Sequence, residues 1–199
     1  MLKDALRVRD AILAASGDGY ASLQTITQIV SGVTAIDQVR FTSYDVPVDN
    51  PILGSFRRFE RRLAAYEPVS TIVEVRYASH IPEPMRRFVV CKELCHALEA
   101  DNGAHHVSDR EIENLVETFS LTSNSDITGP IPETFRLEQM AEVCSIEILC
   151  PLQRRKEILA SGQFVAAAVA DQFNIPVMYA GLAFRPAYIE WVEATIEGL

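Results

Sequence analysis

Apolar and polar positions at the start of the chain recur at helical spacing. Ala5, Leu6, Arg9 and Ile12 lie three and four apart, which predicts an amphipathic helix over Leu2 to Ala15. Ser16-Gly-Asp-Gly19 ends it. Ser22 to Val30 predicts a second, short helix closed by Gly32, and Thr34 to Phe41 a third. Asn50-Pro51 offers an Asn cap and a proline at the first helical position. Ile52, Phe56, Phe59, Leu63 and Tyr66 follow at 4-3-4-3 spacing, so a helix is expected there, ended by Glu67-Pro68. Thr71 to Tyr77 is β-branched and aromatic and reads as a strand. Pro82-Glu83-Pro84 opens a helix that runs to about Glu99, with Gly103 just beyond. Ser108-Asp-Arg-Glu111 is a capping box, backed by Ile112, Leu115, Val116 and Phe119. Leu121 to Pro132 reads as a loop. Glu133 to Cys150 predicts a helix with the stripe Leu137, Met140, Ala141, Cys144 and Ile148, stopped by Pro151. Three shorter helices are expected to finish the chain, broken at Gly162, at Asn174-Ile-Pro176 and at Arg185-Pro186.

Composition refines this picture. Apolar residues make up 48% of 199 residues and charged residues 23%, which is ordinary globular usage and enough chain for a core without staples. The longest apolar run, Phe164 to Ala170, is far too short to cross a bilayer. The mixed-charge N-terminus leads into no long apolar stretch, so no secretory signal and a cytoplasmic chain are expected. The net charge of −9 is uneven. Residues 1–100 carry 12 side chains of each sign, whereas residues 101–199 carry 6 basic and 15 acidic ones. The acidic half disfavours a nucleic-acid partner. The one basic cluster, Arg57, Arg58, Arg61 and Arg62, reads first as the solvated face of a helix and second as a docking patch for an acidic partner or a phosphate backbone. Cys91, Cys95, Cys144 and Cys150 form no C-x-x-C pair and read as buried thiols acting as small hydrophobes.

One segment carries chemistry. In the pattern H-E-x-x-H on a helix, two histidines one turn apart share a zinc ion, and the glutamate acts as general base to the metal-bound water. Lys92-Glu93-Leu94-Cys95-His96 has the glutamate and the second histidine in register, with lysine at the first ligand position. The flanks extend the pattern. Arg86-Arg87-Phe88, Lys92-Glu93-Leu94, His96, Ala97 and Leu98 resemble the R-R-F-x-x-A-H-E-L-x-H-x-L helix of the ImmA/IrrE family of zincin-like metallopeptidases. A second stretch resembles that family's later helix, with Glu138, Ala141, Ile148, Leu149 and Pro151 in its register. Val169 to Pro176 is similar to the family's closing short-helix segment.

The resemblance implies a mostly helical α+β fold, a zincin-like core with a small β-sheet packed on the motif helix. Residues 51–199 would form that domain, and residues 1–50 a helical N-terminal extension. It implies Glu93 as the catalytic base and His96 and Glu138 as metal ligands, with Lys92 in the third ligand position. A protonated ammonium has no lone pair and cannot bind zinc. Deprotonating it near neutral pH would need a shift of several units from about 10.4, against the pull of the two carboxylates. The expectation is therefore a cation standing roughly where the metal would, with no resident cofactor, or zinc if the site is functional. His105 and His106 read as exposed loop histidines, and Cys95 as packing against the Glu138 helix.

On this reading the chain acts in regulation by binding a protein partner such as a transcriptional repressor. The alternatives are an active metal-dependent endopeptidase cleaving a regulatory protein, and a DNA-binding regulator using the N-terminal helices and the arginines. The segment Phe173 to Phe184 imitates half of a helix-turn-helix. Its last helix has no cation before Arg185 and is apolar all round, so it is expected to be buried.

Overall fold

The computed structural model describes residues 1–17, 19–62, 68–99 and 133–198, the side chains of 133–135 excepted. Two helices open the chain, α1 (Leu2–Ser16) and α2 (Leu23–Val33). Ser22 caps α2 by accepting a hydrogen bond from the Thr25 backbone N–H at 3.1 Å. Three strands follow, β1 (Gln38–Tyr44), β2 (Gly54–Arg61) and β3 (Ser70–Ala78). Six helices follow among the described residues: α3 (Glu83–Glu99), α4 (Glu133–Leu149), α5 (Leu152–Ala160), α6 (Ala166–Phe173), α7 (Val177–Ala183) and α8 (Pro186–Glu197). The architecture is α+β, with eight helices and one small sheet among the described residues. No helix among them is long and apolar enough to cross a membrane.

The sheet order is β1-β3-β2, with β1 parallel and β2 antiparallel to β3. Alternation sends Val73 and Val75 of β3, with Phe56 and Arg58 opposite them on β2, toward α3. Helix α4 packs between α3 and α1. One buried cluster joins Ala5, Val8 and Ile12 of α1 to Leu94 and Cys95 of α3 and to Cys144 and Ile148 of α4. The first helix thus shares the core that holds the motif helix in place.

Several expectations fail here, for identifiable reasons. Residues 50–62 do not form a helix. The Asn50 side chain accepts from the Ile52 backbone N–H at 2.8 Å, a local turn rather than a helix cap, and the chain enters β2. Eight consecutive residues of β2 pair with β3, and that long-range ladder overrides the 4-3 spacing of the aromatics. Leu63 and Tyr66, the other members of the expected stripe, lie outside the described residues. Thr34 to Phe41 is not helical either. The Thr34 hydroxyl donates to the Val30 carbonyl at 2.6 Å and accepts from the Ile36 N–H at 3.2 Å, which closes α2, and β1 begins at Gln38. Four helices, not three, follow Pro151. Helix α7 is not buried all round: Ala180 and Ala183 are buried, whereas Met178 is 66% exposed. The capping box at Ser108, the loop at Leu121 to Pro132, and His105 and His106 lie outside the described residues.

Candidate functional site

Positions 92 and 96 lie one turn apart on α3, so Lys92 and His96 project from one face, with Glu93 a third of a turn away. Helix α4 presents Glu138 to that face. The Lys92 Nζ donates to Glu138 Oε2 at 2.7 Å and sits 3.9 Å from Glu93 Oε1. The His96 Nε2 lies 3.1 Å from the other carboxylate oxygen, Glu138 Oε1. That approach lacks hydrogen-bond alignment, and the buried Nε2 has no aligned acceptor. The structure thus brings together all four residues singled out from the sequence: one ammonium, one imidazole and two carboxylates.

The two acids differ electrostatically. Burial would push the Glu138 carboxyl up, but the His96 ring and the Lys92 ammonium outweigh it and hold the group down at about 2. Glu93 is buried more deeply. Desolvation raises its pKa, and Lys92 and His96 offset that only in part. For Lys92, burial favours the neutral amine, yet Glu93 and Glu138 together hold its pKa above the ordinary lysine range. The ammonium stays charged at neutral pH, and Glu138 is its ionised partner.

The strand β2 forms one wall, and the sequence reading missed it. Gly54 passes so close to α3 that a Cβ there would collide with the Val89 side chain and lie 3.0 Å from Glu93 Cγ. Phe56 lies parallel to the His96 ring, with centroids 6.0 Å apart. The Arg58 guanidinium donates to the Ala97 carbonyl at 3.3 Å, binding the strand to the last turn of α3. A glycine inside a strand marks such a close backbone approach, and that was the available signal. Tyr179 of α7 forms another boundary. It stacks on Phe88 at 3.7 Å between centroids, and its phenol is raised by burial and by Glu142, with Lys92 pulling the other way.

Behind the site, Cys91, Cys95, Cys144 and Cys150 are all buried free thiols. Ser145 Oγ approaches Cys95 Sγ at 3.8 Å across the α3–α4 seam, and burial pushes the Cys95 thiol well above its ordinary value. Cys95 therefore packs against the Glu138 helix.

The donor set can be tested against a metal. A catalytic zinc site usually has three protein ligands. Among the described residues, no three His, Cys, Asp or Glu side chains cluster as a metal would require. Among the described residues, the donors in the motif's ligand positions are His96 and Glu138, and that carboxylate already accepts a hydrogen bond from Lys92. These residues do not fit a catalytic zinc. What the cluster can do with its own groups is hold α3 to α4 through a charge-assisted bond and keep a buried carboxyl, Glu93, beside a fixed cation. Compared with known proteins, the chain matches no family model and no curated relative.

Proposed function

We propose that this is an ImmA/IrrE-like protein whose zinc-peptidase centre is degenerate, and that it acts in regulation by binding a protein partner. The resemblance points to a transcriptional repressor as the kind of partner. The observation that carries the reading is the 2.7 Å bond from Lys92 Nζ to Glu138 Oε2. It puts a fixed positive charge on the would-be metal ligand, in the position where the motif calls for a ligating imidazole. Glu93, held beside that cation, has no activated water to serve, and the cluster acts as a clasp between two helices.

Elemental analysis of protein purified without chelator tests this. The expected result is zinc far below one equivalent in the native chain, and zinc gained by Lys92→His, which restores the third donor. A full equivalent of zinc in the native chain, lost on His96→Ala, would overturn the reading in favour of a working metallopeptidase that recruits a ligand from elsewhere. That second reading has one observation in its favour: the buried His96 Nε2 without an aligned hydrogen-bond acceptor.

A further inference from the structure

The arginine cluster expected on a helix lies instead on and just past a strand, and the sheet register changes what it can do. Side chains of β2 alternate, so Arg58 points to α3 while Arg57, Phe59 and Arg61 lie on the outer face. Pairing with β3 sets Arg57 opposite Glu74, and pairing of β1 with β3 sets Arg40 on the other side of that glutamate. Arg76 lies on the same face, two residues along β3 from Glu74. Among the described residues, four guanidinia thus share the outer face with one carboxylate, in a chain whose net charge is −9. Arg40, Arg57 and Arg61 are exposed. The Arg57 and Arg61 side chains make no hydrogen bond or ion pair with another described residue. Between them Phe59 is 37% exposed.

We propose that this outer face docks an acidic segment of a protein partner, with carboxylates seated on Arg57, Arg61 and Arg40 and an apolar side chain between them on Phe59. The inference is independent of the reading of the α3–α4 site. Arg57 and Arg61 stand about 14 Å apart along the strand, and Arg40 and Arg57 about 10 Å apart across it. Guanidinium forks match carboxylates bidentately, and an extended peptide repeats same-face side chains at the strand's own spacing. A long nucleic acid offers phosphates of the same sign but also meets the acidic remainder of the chain. A short acidic peptide responds mainly to charges within the ~8 Å screening length.

The test is fluorescence anisotropy on the full chain with a labelled peptide repeating Glu-Ser-Leu-Ser-Glu. A Lys-Ser-Leu-Ser-Lys peptide and a labelled oligothymidylate serve as comparators. The acidic peptide alone is expected to bind at ~0.05 M salt and to weaken as salt rises. The double variant Arg57→Glu/Arg61→Glu should lose at least about tenfold in affinity. A double variant of equal charge change elsewhere, Lys3→Glu/Arg185→Glu, should lose about threefold or less. All four positions are exposed, so both variants are expected to fold, with circular dichroism as the check. No binding of the acidic peptide at low salt, tighter binding of the oligothymidylate, or equal losses in the two double variants would each overturn the proposal.

Discussion

Two glutamates of helix α4, Glu138 and Glu147, lie on opposite faces, and their surroundings contrast. Glu147 is fully buried and saturated. Arg155 binds it from α5, Arg9 Nη1 reaches it at 3.3 Å from α1, and the Leu152 backbone N–H donates to it at 3.3 Å. Arg155 in turn donates to the Ala183 carbonyl at 2.9 Å and lies over the Tyr188 ring, so five helices meet at one dry ion pair. Desolvation lowers the Arg155 pKa to about 10, which leaves it charged at any ordinary pH. Glu138 is 29% exposed and meets the Lys92 ammonium at 2.7 Å and a histidine nitrogen that lacks an aligned bond. Both acids are paired, but only the first is fully closed off from solvent together with its cation. A buried ion pair of that kind commits a chain to one packing, whereas a half-open one leaves groups that a solute can reach.

The sharpest way to break the contrast is at the sealed pair. Arg155→Met leaves Glu147 buried with Arg9 as its remaining cation, and urea unfolding should show a loss of about 3–5 kcal/mol. Replacing Glu147 and Arg155 together with apolar residues of similar volume should recover most of that loss.

A smaller effect is expected where the sheet meets the open site. Gly54→Ala places a methyl against Val89 and the Glu93 stem, and the strand must move out or the valine must shift. The expected cost is about 1–3 kcal/mol by the same assay. The Phe56–His96 contact should loosen with it, which is measurable as a change in the His96 ring resonances.

The smallest effect separates the two acids by pH. Glu138 has a native pKa of about 2 against an ordinary 4.5, so it contributes stability above the ordinary value. That contribution fades as pH falls from about 4.5 through about 2, because protonating Glu138 removes the charge that its partners attract. Glu93 acts in the opposite sense, since its raised pKa favours folding while the group is protonated and loses that advantage as pH rises. Glu138→Gln should therefore flatten the acid limb of the stability–pH curve between pH 4.5 and 2, with a loss of about 1 kcal/mol at neutral pH, discounted for its partial exposure. An unchanged acid limb would show that the Lys92–Glu138 contact contributes nothing.

The helices were more legible than the strands, for a physical reason. The period of α4, the prolines that open α3 and the proline that stops α4 are local signals, readable from a dozen residues. The hydrogen bonds of β1 and β2 are completed by β3, which lies later in the chain, and no local pattern announces such a partner. The aromatic spacing of Phe56 and Phe59 fits a helix face, yet on β2 the two rings point to opposite sides of the sheet. The grouping of Lys92, Glu93, His96 and Glu138 was legible because two motifs align in order. Glu147 and Arg155 were not, although a glutamate inside the apolar run from Ile146 to Leu149 cannot be buried cheaply without a cation.

The burial of all four thiols, on α3, on α4 and just past its end, has a practical consequence. A maleimide finds no accessible sulfur on the native chain among the described residues. A single cysteine placed on an exposed helix position would then accept a spectroscopic label with no background. The same property makes alkylation a clock: the intrinsic thiols react only as fast as the helices that cover them come apart.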